Sequence, residues 1–295
     1  MVFIWRHNEL MKKLSIILSV LFALTMSAFP PSIHGVIASS ISQGPSYDAD
    51  AKKFIDSSGI TDTIQKRAIN TLVVQLKDSS LWSTMICVYP LVGGTASSTK
   101  WNLKDPRDLD AAYRITWAGG WTFDTTGATA NAINTSGDTH FNPTNWAFKD
   151  SVAFGGYVAN NSSADYAIMG VTNSSSQGFS LLPRSANSYA YANTGYTFQG
   201  SGITMFTAVG FSVATGLRRT VRMYKDNDLV ITGTSAADAV TLNINMKIGC
   251  SNVNGTDTYK SNYKIGFVFI SNYLTAAQVS TLTNIFNQFK AKLNR

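Results

Sequence analysis

The sequence predicts a mainly β protein, an antiparallel β-sandwich of the jelly-roll type with a helical lead-in before it and one packing helix after it. From about residue 112 to residue 270, short runs of aromatic and β-branched residues alternate with Ser, Asn and Gly turns, as in many-stranded antiparallel folds. The segments flanking this region instead carry apolar residues at helical spacing. A hydrophobic fraction of 44% allows a full-sized core, while only 14% of residues are charged, against about 25% in an average domain.

The N-terminus has the pattern of a secretory signal peptide. Lys12 and Lys13 precede the apolar run Leu14–Met26, and small residues follow, with cleavage patterns after Ala28 and Ala38. An uncleaved anchor or a buried N-terminal helix is the alternative. The predicted organisation is a signal-like segment at 1–28, a linker at 29–47, a helical lead-in at 48–111 and a β-sandwich with its C-terminal helix at 112–295.

The lead-in is predicted to contain two helices and a strand. A short helix over Asp48–Ile55 stops near Gly59, and Thr61-Asp62 can cap a second helix. The strand Ile86–Leu91 follows. The apolar positions of the second helix recur every four residues at Ile64, Ala68, Leu72 and Leu76.

The sandwich is predicted from nine short runs, and Tyr224–Leu229 holds a hairpin turn because Asp and Asn tolerate left-handed backbone. After the last run, Thr275 and Gln278 form a capping box. The helix that follows carries one apolar stripe (Val279, Leu282, Ile285, Phe286, Phe289 and Leu293), which should pack on the sandwich. The nine runs are Tyr113–Phe123, Val152–Val158, Tyr166–Val171, Phe179–Leu182, Met205–Val213, Thr220–Tyr224, Leu229–Thr232, Leu242–Ile248 and Lys264–Ile270.

The residue inventory argues against an enzyme. Glu9 is the only glutamate, and His140 is the only histidine outside the leader region. A glutamate pair, a His dyad or a multi-His metal site therefore cannot be assembled in the folded part. Cys87 and Cys250 are favoured as separate buried thiols, with a disulfide as the alternative in an exported protein. The net charge of +7 is spread along the chain, so we expect a mildly basic surface and no nucleic-acid binding.

The stretch Leu103–Trp121 concentrates acids and arginines just before an aromatic, strand-like run. We interpret it as a structural tether between lead-in and sandwich, in which Pro106 fixes the turn and the arginines pair with Asp108 or Asp110. A Ca²⁺ site made by the three aspartates is the minority alternative, and otherwise no cofactor is expected. The structural residues are Asp105, Pro106, Arg107, Asp108, Asp110 and Arg114.

Glycan binding is the function that the aromatic residues leave open. Aromatic rings beside Asn, Asp and Ser suit sugar faces and hydroxyls, although core packing is the alternative for each ring. Tyr189 and Tyr191 alternate onto one face of a strand-like run. The candidate glycan-binding residues are Trp121, Trp146, Tyr189, Tyr191 and Asn193.

The C-terminal 75 or so residues resemble concanavalin A-like (LamG-type) jelly rolls. The resemblance rests on the hairpin Val221–Val230, the strand end Lys247–Gly249, the strand Gly266–Ile270 and the helix start Leu274-Thr275. It implies a concanavalin A-like fold and says little about function.

A second resemblance covers most of the chain, and Asn102–Ala112 (NLKDPRDLDAA) is its longest motif, with Tyr89–Ala96, Gly119–Trp121 and Thr126–Ala128 beside it. These motifs resemble bacteriophage structural proteins of tail or virion type. The resemblance implies a non-enzymatic virion component with host-surface glycan as a further partner, located in the virion beside other virion proteins and trimeric by analogy. The alternatives are a secreted, extracellular lectin-like adhesin, suggested by the signal-like N-terminus, and a polysaccharide-active enzyme, suggested by fold analogy alone.

Overall fold

In the computed structural model, the structure describes residues 46–147, 149–235 and 238–295. The chain divides into residues 1–47 and 48–295, and of the first unit only Ser46 and Tyr47 are described. The signal-like segment at 1–28 and nearly all of the linker therefore lie outside the described residues. Among the helices that the structure does describe, none has both the length and the apolar character needed to cross a bilayer.

Residues 48–295 form a sandwich of two β-sheets. Among the described residues every strand pair is antiparallel except the pair of Ser251–Val253 with Met169–Thr172. Sheet A has the order β13-β12-β11-β6-β17-β4-β3, with β1 also paired to β17. Its strands are β1 (Met85–Tyr89), β3 (Thr122–Asp124), β4 (Gly127–Thr129), β6 (Ser151–Val158), β11 (Gly210–Leu217), β12 (Thr220–Lys225), β13 (Asp228–Thr234) and β17 (Lys264–Asn272).

Sheet B has the order β10-β9-β8-β7-β14-β5-β2, with β15 added to β7 and β16 to β15. Its strands are β2 (Thr116–Ala118), β5 (Ser136–Asp138), β7 (Met169–Thr172), β8 (Gly178–Leu182), β9 (Tyr191–Tyr196), β10 (Gln199–Gly200), β14 (Lys247–Ile248), β15 (Ser251–Val253) and β16 (Thr256–Thr258). The predicted mainly β, antiparallel sandwich is thus confirmed.

The α-helices that the structure describes in this unit are, in chain order, α1 (Ala49–Ser58), α2 (Thr63–Asp78), the short α3 (Ala96–Thr99) and α4 (Ala276–Lys292). The Asp62 side chain caps α2 by accepting a bond from the Gln65 backbone N–H. Thr275 and Gln278 cap α4 reciprocally, as predicted. Ile64 is an exception to the predicted stripe of α2, because its side chain is 54% exposed while Gln65 is buried.

Strand β17 separates two packing layers. Its side chains alternate between the two faces of sheet A, so Val268 and Ile270 join the core between the sheets, while Phe267 packs against Phe286 of α4 with ring centroids 5.3 Å apart. The predicted apolar stripe of α4 therefore packs on the sandwich from outside. The lead-in contributes strand β1 to the same sheet.

The predicted turn is present in the structure, whereas two of the predicted strand runs have different limits. The hairpin between β12 and β13 turns at Asp226-Asn227, both with positive φ (49° and 80°), which confirms the predicted turn. The run Leu242–Ile248 is a strand only at its last two residues. The run Tyr113–Phe123 is divided between β2 and β3, which belong to different sheets.

The acid-rich stretch is a surface segment whose ion pairs differ in part from the prediction. Arg107 forms a two-bond pair with Asp105, through Nε at 2.7 Å and Nη2 at 2.5 Å, and not with Asp108 or Asp110. Arg114 lies 2.9 Å from Asp110 and 3.4 Å from Asp108. Asp105 and Arg107 are separated only by Pro106 and pair with each other. Asp110 begins a 3₁₀ turn (Asp110–Ala112), and Arg114, four residues further on, pairs with it.

A buried asparagine ties this segment to the sandwich. The side chain of Asn102 is 1% exposed, and its amide donates to the carbonyls of Ile86 and Ala112. Its oxygen accepts bonds from the backbone N–H groups of Val88 and Lys104. Asn102 therefore joins β1 to Lys104 and Ala112, which lie on either side of the three aspartates. This linking role was predicted for the charged residues of the stretch.

Candidate functional site

An aromatic cavity of about 310 Å³ opens at one end of sheet B. It is built by the loop before β7, the end of β8, the loop between β8 and β9, the start of β9, the turn between β9 and β10, and the residue that follows β16. A cavity of this volume matches the lower range of small-molecule sites. Its described lining residues are Asp165, Leu182, Ala186, Asn187, Tyr191, Phe198 and Tyr259.

Three aromatic rings line the cavity in an edge-to-face series. The ring of Phe198 stands 6.4 Å from Tyr191 at an interplanar angle of 86°, and 6.5 Å from Tyr259 at 71°. Such T-shaped pairs are favourable beyond their area burial and hold the rings in fixed orientations. Tyr259 has a positive φ of 51°, and its carbonyl accepts a bond from the Ala167 N–H at 3.0 Å. This bond ties the third ring to the loop before β7.

The polar groups of the cavity are partly engaged by the protein. One oxygen of Asp165 accepts the Ala186 backbone N–H at 3.0 Å, and no cation pairs with this carboxylate in the described part of the chain. Asn187 donates its side-chain N–H to the Tyr191 hydroxyl at 2.9 Å. The free oxygen of Asp165 is therefore an acceptor for a ligand hydroxyl, and the Tyr191 hydroxyl proton is a donor.

The loop that carries Asn187 is fixed by its own hydrogen bonds. The Asn187 side-chain oxygen accepts bonds from the Ser185 hydroxyl and, at 3.3 Å, from the Tyr189 N–H. The Ser185 N–H donates to the Tyr189 carbonyl at 2.8 Å. Because the loop is closed on itself, Asn187 and Tyr191 reach the cavity in a preorganised position.

An apolar rim lies beside the cavity, made of Tyr189, Ile203 and Phe206. These side chains are 36%, 53% and 83% exposed. Two backbone bonds join the segments that carry these side chains: the Ser201 N–H donates to the Ala190 carbonyl at 2.9 Å and the Met205 N–H donates to the Ser188 carbonyl at 2.6 Å. Exposed rings beside an aromatic cavity extend the surface on which an apolar ligand face can rest.

The predicted glycan-binding residues are divided between this site and the interior. Tyr191 lines the cavity and Tyr189 belongs to its rim. Asn193 is fully buried and donates to the Ser176 carbonyl at 3.0 Å. Trp121 and Trp146 are 9% and 5% exposed, so neither presents a ring face to a ligand.

The two tryptophans are core residues with satisfied indole groups. Trp121 donates to the Ser136 carbonyl at 3.2 Å and packs edge-on against Trp117. Trp146 donates to the Ser271 carbonyl at 3.1 Å and packs against Phe179, with centroids 4.7 Å apart. We therefore correct the candidate set to exclude Trp121, Trp146 and Asn193.

Four polar or aromatic residues of the cavity were not singled out from the sequence: Asp165, Asn187, Phe198 and Tyr259. They lie in different loops, and only the pairing of β9, β8, β7, β15 and β16 brings those loops together. The single local signal is that each stands in a polar, turn-rich stretch. That signal is shared by many residues of this chain.

The acidic residues do not assemble into a metal centre in the part of the chain that the structure describes, where no group of three His, Cys, Asp or Glu side chains is placed to hold an ion. Asp105, Asp108 and Asp110 are each paired with a cation (Arg107, Lys100 and Arg114), which accounts for their charge without Ca²⁺. His140 has left-handed backbone, with a φ of 55°, and its ring contacts the Thr116 hydroxyl at 2.8 Å. Both thiols are free and buried.

No protein-family model matches the sequence, and no curated protein matches it. Solved structures of similar fold include a mutant of Trypanosoma rangeli sialidase displaying trans-sialidase activity, with 11% identity over 76% of this chain and a TM-score of 0.50. Domain 4 of AbnA, an extracellular GH43 arabinanase from Geobacillus stearothermophilus, has 14% identity over 66% of this chain and a TM-score of 0.40. Botulinum neurotoxin type C has 10% identity over 70% of this chain and a TM-score of 0.48.

These matches cover 39% of the sialidase chain, 86% of the arabinanase domain and 52% of the neurotoxin chain. This chain therefore spans much less than the full length of the sialidase and the neurotoxin. The sialidase match, with 11% identity and a TM-score of 0.50, is a likeness of fold alone, and it agrees with the two-sheet sandwich described above.

Proposed function

We propose that this protein is a non-enzymatic carbohydrate-binding β-sandwich that holds a sugar in the aromatic cavity of sheet B. The observation that carries the proposal is the assembly of three fixed aromatic rings and one unpaired carboxylate in a single cavity. The proposal rests on this cavity and not on the fold, because one fold supports many functions.

The cavity offers a sugar both of the contacts that it needs. The C–H face of a pyranose or furanose ring can lie on Tyr191 or Tyr259, while its hydroxyls donate to the free oxygen of Asp165 and accept from the Tyr191 hydroxyl. Preorganised aromatic anchors lose little side-chain entropy on binding. The described lining contains no Lys, Arg or His, so the favoured ligand is a neutral sugar.

The lining residues of the cavity also favour binding of a sugar without cleavage of its glycosidic bonds. Most glycoside hydrolases act with two carboxyls, about 5–5.5 Å apart in retaining enzymes and about 6.5–9.5 Å apart in inverting ones. Asp165 is the only acid among the described residues that line the cavity. A general acid and a second carboxylate are therefore not both supplied there.

The proposed biological setting is the surface of a phage virion, with a secreted lectin-like adhesin as the second candidate. The motif Asn102–Ala112 supports the first and the signal-like pattern at 1–28 supports the second. Mass spectrometry of purified virions separates them, since absence of this polypeptide contradicts the virion proposal. A mature N-terminus at Phe29 or Ser39 would support secretion, and an intact Met1 or Met11 would count against it.

Glycan binding is tested on an array of neutral and acidic oligosaccharides, with wild type and cavity variants side by side. We expect Tyr191→Ala and Asp165→Asn each to weaken binding to neutral glycans by at least about tenfold, which is the loss of roughly 1.4 kcal/mol. The matched controls are Tyr273→Ala and Asp228→Asn, which change the same residue types away from the cavity. Equal loss in variants and controls, or no binding of any neutral glycan by the wild type, would contradict the proposal.

A further inference from the structure

A second feature stands out on sheet A, in the hairpin between β11 and β12. Leu217 pairs with Thr220, so Arg218 and Arg219 form a two-residue turn, and both have positive φ (50° and 22°). Such turns strongly favour Asn and Gly, because a side chain is strained in the left-handed region. The next hairpin of the same sheet uses Asp226-Asn227 at the equivalent positions. The arginine pair therefore places two strained residues in this turn.

The strained turn is held from three sides. The Arg218 N–H donates to the Asp150 carbonyl at 2.8 Å, and the Ser235 N–H donates to the Arg219 carbonyl at 2.9 Å. The Arg219 N–H donates to the Tyr196 hydroxyl at 2.8 Å. Strained backbone that its surroundings fix in this way is concentrated at ligand sites in proteins. The turn thus presents two guanidinium groups from a fixed backbone.

A cavity of about 460 Å³ lies at this turn, and we name it the arginine-turn site. Arg219 is paired with Asp238 at 2.6 Å. Arg218 and Lys149 make no side-chain hydrogen bond or ion pair with the residues that the structure describes. The described lining residues are Lys149, Asp150, Tyr196, Arg218, Arg219, Thr220, Asp238 and Ala239.

A buried hydroxyl completes the site. Tyr196 is 1% exposed, and its oxygen accepts the bond from the Arg219 N–H. Its own proton has no acceptor among the described residues. Burial raises the pKa of Tyr196, with the Asp150 and Asp238 carboxylates acting in the same direction and Arg219 against them. The phenol therefore stays protonated and can donate to a ligand.

We propose that the arginine-turn site binds the acidic group of a charged sugar, a carboxylate or a sulfate, through Arg218, Lys149 and the Tyr196 hydroxyl. The two carboxylates of the same cavity, Asp150 and Asp238, argue for a sugar over a bare anion. A simple anion gains from the cations but is repelled by the acids, whereas sugar hydroxyls donate to carboxylates. Guanidinium groups suit both oxyanions.

This site is separate from the aromatic cavity. Tyr191 and Tyr196 stand at opposite ends of β9, and five residues of strand span about 17 Å. A single sugar unit at one site therefore does not contact the other, and the two proposals can fail independently. Variants at the arginine turn should leave neutral-glycan binding unchanged, and Tyr191→Ala should leave acidic-glycan binding unchanged.

The decisive variant is Arg218→Asn combined with Arg219→Gly, which installs the preferred turn sequence while it removes both guanidinium groups. We expect the melting temperature to stay level or rise and binding to acidic glycans to fall at least tenfold on an array of uronate-bearing, sialylated, sulfated and neutral chains. Lys149→Gln leaves the turn intact and should weaken the same spots several-fold. The control Lys52→Asn with Lys53→Asn removes two exposed positive charges from α1 and should change nothing.

The array also distinguishes the acidic groups and overturns the proposal where it is wrong. Loss on uronate and sialylated spots alone identifies a carboxylate ligand, and loss on sulfated spots alone identifies a sulfate; both support the site. A wild type that binds no acidic glycan overturns it, and so does a double variant that binds as wild type. Binding of single-stranded DNA as strong as binding of the best acidic glycan would show a general polyanion surface and would equally overturn it.

Discussion

The packing of α4 on sheet A gives the sharpest stability prediction, which concerns Phe286→Ala. Phe286 is 2% exposed and its ring stacks on Phe211, with centroids 4.5 Å apart and an interplanar angle of 14°. It also contacts Phe267 at 5.3 Å and Tyr157 at 5.1 Å. The ring is therefore the centre of the contact between the helix and the outer face of the sheet.

Truncation of a buried phenylalanine costs about 3–5 kcal/mol, and we expect about 4 kcal/mol, the middle of that range, for a ring that packs against three others. For a domain of this size, 1 kcal/mol shifts the melting temperature by roughly 2–4 °C. We expect Phe286→Ala to lower the melting temperature by about 10 °C. The loss should be greater than that of the same substitution at any exposed phenylalanine.

Differential scanning fluorimetry and circular dichroism measure this directly, and Phe206→Ala is the matched control because Phe206 is 83% exposed. The control should change the free energy of unfolding by less than about 0.5 kcal/mol. Equal shifts in the two variants would refute the packing argument. A Phe286→Ala protein that melts like wild type would show that α4 is not part of the cooperative unit.

Three further predictions follow from single contacts. Asn102→Ala should lower the free energy of unfolding by about 3 kcal/mol, because it leaves buried backbone groups unpaired. Asp110→Ala should lower it by no more than about 0.5 kcal/mol, because the ion pair of Asp110 is exposed. Urea unfolding of the two variants measures both values. Burial raises the pKa of Asp124, but bonds from Lys264 and Thr126 outweigh it and hold that pKa at about 2. Its contribution to stability is therefore complete above pH 3.8 and is lost as the pH falls through 2. Because the side chain is 54% exposed, this contribution should stay below about 1 kcal/mol. Asp124→Asn should flatten the acid limb of the curve of stability against pH by that amount. Burial raises the pKa of both cysteine thiols to about 12, so a thiol reagent at pH 8 should label neither in the native protein and both in denaturant, and labelling of the native protein would contradict their burial.

Features encoded by neighbouring residues could be predicted from the sequence. The capping box of α4 and the turn at Asp226-Asn227 depend on side chains within three positions of one another. The alternation of side chains between the two faces of β17 likewise follows from the residues of that strand alone. Whether a given side chain is buried is harder to predict from the residues around it in the sequence. Trp121 and Trp146 stand in polar surroundings in the sequence, yet both enter the core, where the carbonyls of Ser136 and Ser271, distant in sequence, accept their indole N–H groups.

The candidate site depends on contacts between distant segments, so only part of it could be predicted. Tyr191 was found because it belongs to a local aromatic run, whereas Phe198 and Tyr259 meet only after the strands of sheet B have paired. The acid-rich stretch shows the same limit. Its charges are evident in the sequence, but the buried bonds of Asn102, and not the charge pairs, join it to β1.

The central claim is that the aromatic cavity binds a neutral sugar without cleaving it. Isothermal titration of the best neutral glycan from the array into wild type and Tyr191→Ala, with product analysis of the wild-type mixture, tests it most directly. We predict saturable binding by the wild type, at least tenfold weaker binding by Tyr191→Ala at an unchanged melting temperature, and an intact glycan after prolonged incubation. Equal affinity of the two proteins, or release of shorter sugars, would contradict the claim.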